Sequence, residues 1–239
     1  VIDAHFLNLR RRDTILPEEE AAICAGLSEP RTVAADRTLI RAEEELSAST
    51  LLLEGLMCRY KDLKDGQRQI SALHIPGDFV DLHSFTLKRL DHNVMALTPC
   101  TIATMPHDRL TEITEQHPHL TRVYWFLTTL DASIQREWML SLGRRTAIQR
   151  LAALLCELFI RMEIVALTDG NSFPLNMTQT DLAECAGLTP VHVNRTLREL
   201  RERGLIDMAP RRMTILDMRG LQDLGEYSTS YLYLEHRER

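Results

Sequence analysis

Residues 144–239 contain 13 arginines, and several stand where a guanidinium could grip DNA. Arg195 and Arg198 lie in LTPVHVNRTLRELRERGLI (188–206), and Arg211 and Arg212 are adjacent in MAPRRM (208–213). A guanidinium can donate two hydrogen bonds to the exposed edge of a guanine, whereas hydroxyls, amides and basic groups at a helix start or hairpin tip suit the phosphate backbone. At 100° per residue, Val193, Leu197 and Leu200 share one face of a helix and Val191, Arg195, Arg198 and Glu202 the opposite one, with His192 and Asn194 on the flanks. The apparent strand alternation of VHVN is then the first turn crossing between faces.

Other chemistry is less well served. The histidines of HIPGDFVDLH (74–83) and HPH (117–119), with Asp78 and Asp81, are the available material for a metal site or an enzyme. However, the chain has no GxSxG, P-loop or HExxH pattern. The five cysteines, Cys24, Cys58, Cys100, Cys156 and Cys185, are scattered without a CxxC pair, the usage of a reduced, cytoplasmic protein without a metal site.

Those arginines need elements to hold them. Thr189 followed by Pro190 reads as N-cap and first helical position, so the arginine stretch is a helix. Upstream, TQTDLAECAG (178–187) reads as a second short helix, with Thr178 as its cap, Gln179 at its start and Gly187 ending it. Two such helices form a helix-turn-helix, with Thr178, Gln179, Thr189, Val191, His192, Asn194, Arg195 and Arg198 as candidate DNA contacts. GLIDM and MTILD then predict a hairpin wing carrying Arg211 and Arg212.

The first half reads differently. Residues 31–105 read as short β-runs, RTLI, STLLLEG, LMCRYKDL, RQISALHI, HNVMAL and TIATM, separated by turns at Asp65-Gly66, Pro76-Gly77-Asp78 and Thr98-Pro99. They predict a small antiparallel barrel or jelly roll. After a short helix in PHDRLTEITEQ, Leu120, Val123, Leu127, Leu130, Ile134 and Trp138 recur at near-heptad spacing. That stripe predicts a long helix from about residue 118 to 142 which pairs with an equivalent helix, or alternatively packs on its own barrel. The organisation expected is α+β: residues 1–116 a small antiparallel barrel or jelly roll with flanking helices, 117–143 a long helix with a pairing stripe, and 144–239 a winged helix-turn-helix.

Composition sets the outer limits. At 239 residues and 44% apolar content the chain can bury a full core, and no apolar run is long enough to cross a bilayer, since LAALLC (151–156) is followed by Glu157. The net charge of −6 lies in the first half, because residues 144–239 balance 13 arginines with 13 carboxylates. Clustering, which a phosphate backbone responds to, is thus compatible with an acidic total.

LTPVHVNRTLRELRERGLI and IPGDFVDLHSF together resemble the Crp/Fnr family of bacterial transcription regulators. The resemblance implies a β-roll sensor, a dimerisation helix, a winged helix-turn-helix, a homodimer on a palindromic promoter site, and contact with RNA polymerase. Where oxygen-responsive members resemble E-x-x-S-R, this chain has Val191, Asn194 and Arg195, which implies a related but altered half-site. Where cyclic-nucleotide binders resemble G-E-L and R-S/T-A, it has Val80-Asp81-Leu82-His83 and DHNVMA (91–96), with Arg89 out of register. The iron–sulfur members' N-terminal cysteines are absent from FLNLRRR. The expected effector is therefore an unknown small molecule or none, with Asp78, Val80, Asp81, His83, Arg89 and His92 as candidate pocket residues. A cyclic-nucleotide-gated regulator, a cytosolic metal-binding protein or enzyme, and a nonspecific architectural DNA protein are the alternative readings.

Overall fold

A computed structural model describes residues 2–239. Two short helices, α1 (Asp3–Arg10) and α2 (Pro17–Gly26), precede seven strands: β1 (Arg31–Val33), β2 (Thr38–Ile40), β3 (Ala48–Glu54), β4 (Met57–Asp62), β5 (Arg68–His74), β6 (Asn93–Ala96) and β7 (Cys100–Pro106). A single turn, α3 (Ser84–Leu87), lies between β5 and β6. The strands form two antiparallel sheets, ordered β1-β7-β3 and β2-β6-β4-β5. Between them lie Val33, Ile40, Leu52, Met57, Val80, Val94 and Ile102. This is the β-roll expected from the alternating runs, and Gly66, at a φ of +86°, turns the β4–β5 hairpin.

Helix α4 (His107–Gln116) leads into α5 (Pro118–Arg144), which begins on a proline at its first position. Helix α6 (Ala147–Ile164) is capped by Thr146, whose amide donates to Gln149 Oε1 at 2.9 Å. The C-terminal unit then adds β8 (Ser172–Pro174), α7 (Gln179–Ala186), α8 (Pro190–Glu202), β9 (Ile206–Ala209), β10 (Arg212–Ile215) and α9 (Met218–Gly225), its sheet ordered β8-β10-β9. Strand β8 was not expected from the sequence. It pairs with β10 over only Ser172 to Pro174, too short a run to carry a periodic signal.

The long helix needs one correction. Leu120, Val123, Leu130, Ile134 and Trp138 are buried within this chain, and Leu127 is half-buried. Leu120 and Val123 pack with α1, α2 and α4, while Leu130, Ile134 and Trp138 join one core with Ile70 and Leu73 of the roll and Leu151, Leu154 and Leu158 of α6. The regular apolar spacing thus reports a helix seated on its own roll. A different stripe faces out: Trp125, Thr129, Ala132, Arg136, Met139 and Gly143 are all exposed, Trp125 by 70% and Met139 by 71%. Their spacings of 4, 3, 4, 3 and 4 are also those of a heptad seam.

The C-terminal unit leans on the roll. Gln69 Nε2 donates to the Glu184 carbonyl at 2.6 Å, and Arg150 Nη1 to the Ala186 carbonyl at 2.9 Å, so hairpin β4–β5 and α6 both hold the end of α7.

Candidate DNA-reading surface and sensor cavity

Helices α7 and α8 are built as their caps predict. Thr178 Oγ1 accepts from the Asp181 amide at 3.1 Å while Asp181 Oδ2 accepts from the Thr178 amide at 2.6 Å. Gly187 ends the helix at a φ of +61°. Thr189 Oγ1 accepts from the His192 amide at 3.2 Å and starts α8. Val193, Leu197 and Leu200 are buried against Leu182, Phe173 and Ile206, which fixes the opposite face outward.

On that outward face Val191 is 81% exposed, and Asn194, Arg195 and Arg198 are exposed with it, while His192 is half-buried. Arg198 lies 3.8 Å from Glu202 across one helical turn, whereas Arg195 has no ion-pair partner among the described residues. An exposed, unpaired guanidinium beside an apolar side chain can take a guanine edge and a thymine methyl without first breaking a contact. At the wing tip, Arg211 is exposed at a φ of +61°, and Arg212 pairs with Asp169 at 2.9 Å. Thr178, Gln179 and Thr189 are exposed at the two helix starts, where the positive end of the helix dipole suits a phosphate.

The sensor residues divide differently from the sequence expectation. A cavity of about 60 Å³ lies between the roll, α5 and α6, lined by Arg59, His74, Asp78, His83, Asp131 and Arg161 among others. Of the six residues expected there, only Asp78 and His83 line it. Val80 is buried in the roll core and offers the cavity region only its carbonyl, which accepts from Arg59 Nη2 at 3.4 Å. Asp81 turns into the roll, where its carboxylate accepts from the Thr50 amide at 2.5 Å. Arg89 points to solvent 3.6 Å from Glu45, because the strand carrying Val94 and Met95 begins after it and leaves it on the loop. His92 packs its ring 5.4 Å from that of His83, beside the cavity.

The residues missed are those brought in from afar. Arg59, on β4, donates to Asp131 of α5 at 2.9 Å, and Arg161, on α6, donates to Asp78 at 2.7 Å. Burial pushes the imidazoles of His74, His83 and His92 down, with the neighbouring Arg59 acting in the same direction, so all three rings are held neutral. Burial pushes the Asp81 carboxyl up to about 7, against the opposing hydrogen bond from Thr50. Arg59 Nε, His74 Nε2 and His92 Nε2 are buried polar atoms without a partner in the structure. The cavity, which Arg59 and His74 line, can supply those two with a few waters or a small polar guest.

A roll with a polar cavity against a long helix, followed by a capped helix-turn-helix and a wing, defines a two-domain DNA-binding regulator. Residues 30–117 match the family model of the cyclic nucleotide-binding domain and residues 149–224 that of the Crp-like helix-turn-helix domain. The nitrogen fixation regulation protein FixK of Bradyrhizobium diazoefficiens is 34% identical over 74% of this chain and 73% of its own length. The transcriptional activator protein FnrL of Cereibacter sphaeroides is 27% identical over 88% and 86%. The solved structure of FixK2 from Bradyrhizobium japonicum covers 82% of this chain and 96% of that one, at 25% identity and a TM-score of 0.75. The chain belongs to the Crp/Fnr family, whose members are transcription regulators and not enzymes. No helix among the described residues is long and apolar enough to cross a membrane.

Proposed function

We propose that this regulator works in the cytoplasm as a homodimer that reads a palindromic promoter site through the outward face of α8. The observation that carries this reading is Arg195, exposed and unpaired on a helix whose other face is fully buried. Arg195 takes a guanine edge, Val191 an apolar contact, and His192, Asn194 and Arg198 flank them. Thr178, Gln179, Thr189, Arg211 and Arg212 hold the phosphate backbone on either side. Arg195→Ala should cost about 1–3 kcal/mol on the specific site and relax preference at one guanine per half-site. Competition titrations against single-base operator variants check this, and equal losses on specific and random DNA would remove Arg195 as a base reader.

Two recognition helices must lie about one DNA turn, ~34 Å, apart. The face that supports pairing is the exposed one, Trp125 to Gly143, since the apolar stripe from Leu120 to Trp138 is occupied within the chain. Ala132→Glu with Met139→Glu should give a folded monomer by light scattering and lose the palindrome. Leu130→Glu should instead unfold the protein, since it places a charge in a closed core. A folded monomer from Leu130→Glu, or an intact dimer from the surface pair, would return the interface to the buried stripe.

The cavity beside Arg59 and Arg161 supports a small polar effector, and its placement does not favour a cyclic nucleotide. Asp81 and Arg89, the groups nearest to the expected ribose and phosphate anchors, are respectively sealed in the roll and turned to solvent. Contact with RNA polymerase follows from the family and from relatives named as transcriptional activators.

A further inference from the structure

The segment after α9 crosses from the reader back to the sensor. Residues 227–239 pass through a short 3-10 turn, Ser230–Leu232, where Leu232 is fully buried and Tyr231 Oη donates to Glu157 at 2.7 Å. Beyond that turn the partners belong to the other end of the sequence. Arg12 Nε donates to the Leu232 carbonyl at 3.1 Å, and the Arg237 amide donates to the Arg12 carbonyl at 2.9 Å. Arg239 Nη1 donates to the same carbonyl at 2.8 Å and lies 3.3 Å from Asp13 Oδ2. Its guanidinium also sits 3.6 Å from the centre of the Phe126 ring on α5, whose other neighbour is the edge-on ring of Tyr233.

Arg12 is the reason these contacts are more than a resting tail. Its guanidinium is buried beneath the segment and bonds elsewhere to the carbonyl and side chain of Asn8, so the Leu232 carbonyl is one of the few acceptors it has. A buried cation without acceptors is costly, which makes docking of the segment and burial of Arg12 one event. The reader is joined covalently to the sensor only through residues 143–146, and what else holds it is its interface: the core shared by α5, α6, Ile70 and Leu73, and the bonds of Gln69 and Arg161. The segment adds a further tie, to the Arg12–Asp13 corner.

We propose that residues 227–239 are a strap that fixes the orientation of the reader on the sensor. Undocking from the Arg12–Asp13 corner removes this tie and leaves the reader seated by the shared core and the Gln69 and Arg161 bonds alone, a looser seating. Asn8, which holds Arg12, also lines the sensor cavity, so the strap's anchor and the cavity share a wall.

The test uses the full chain with Tyr233→Ala and Arg239→Ala, two changes at least partly open to solvent. Amide exchange should rise by about tenfold or more over residues 8–13 and 230–237, while α6 and α8 keep their protection. The maximum dimension from small-angle scattering should grow. Tyr233→Phe with Arg239→Lys keeps both ring contacts and should behave as the parent. Faster exchange confined to 230–237 with unchanged dimensions would show a passive tail and overturn the proposal, as would no change in exchange at all.

Discussion

Arg161→Met should lower stability by about 3–5 kcal/mol, the cost of stripping a buried ion pair of one partner. Arg161 reaches from α6 into the roll, donating to Asp78 Oδ2 at 2.7 Å, to the Leu73 carbonyl at 2.9 Å and to Glu157 Oε1 at 3.1 Å. Glu157 in turn accepts from Trp138 Nε1 at 3.1 Å and Tyr231 Oη at 2.7 Å. Methionine fills much of the volume but strips Glu157 of its ion-pair partner and leaves Asp78 only the charge of Arg12. Because the network joins roll, α5, α6 and strap, its loss should also split one unfolding transition into two. Urea titrations followed separately by tryptophan emission and far-ultraviolet dichroism measure both effects. A shift worth less than about 1 kcal/mol would mean that water takes over the arginine's role.

Acidification from pH 7 to 5 should destabilise the protein by about 2 kcal/mol or more, and Asp81→Asn should roughly double that loss. Burial holds His5 and His83 down to about 4 and His74 well below its ordinary 6.5. The unfolded chain therefore binds more protons than the fold below pH 6.5, and stability present above that value is lost as pH falls. At pH 5 His5 and His83 each account for about 2 kcal/mol, or about 4 for the two, and His74 acts in the same direction. Asp81 works in the opposite sense. Its carboxyl is raised to about 7 in the fold, so its contribution is complete at low pH and is lost as pH rises through 7. Lowering the pH to 5 therefore regains about 2–3 kcal/mol from it, which offsets part of the histidine loss. Asparagine can still accept from Thr50 but cannot titrate, so the offset disappears. Denaturant midpoints at pH 7, 6 and 5 for the two proteins decide it, and a shallower slope in the variant would reverse the assignment.

The reader was legible because its information is local. Thr178, Gly187, Thr189 and Pro190 mark helix ends within a few residues of the faces they set, and the inside-outside division of α8 follows from its period alone. The cavity was not legible, because Arg59 meets Asp131 across 72 residues of sequence and Arg161 meets Asp78 across 83. No spacing rule reaches that far, and Arg89 drew attention only by lying near DHNVMA. On α5 the periodicity was read correctly as a buried stripe, but a period does not say what buries it. The outward stripe carries the same repeat with Thr129, Ala132, Arg136 and Gly143 in place of large apolar groups, so only Trp125 and Met139 resemble a seam. Helix α1 and the strap were missed because their contacts join the two ends of the sequence.

The chain's two tryptophans stand on different faces of the same helix. Trp125 is open to solvent on the outward stripe, while Trp138 is sealed between roll and α6 with its indole N–H on Glu157. One fluorophore therefore watches the surface where a second copy would sit, and the other watches the seam between sensor and reader. In the separated chain their emission maxima should lie apart, the first red and readily quenched by iodide, the second blue and shielded, and pairing should shield the first. A single spectrum thus carries separate optical channels for assembly and for domain coupling, without any added label.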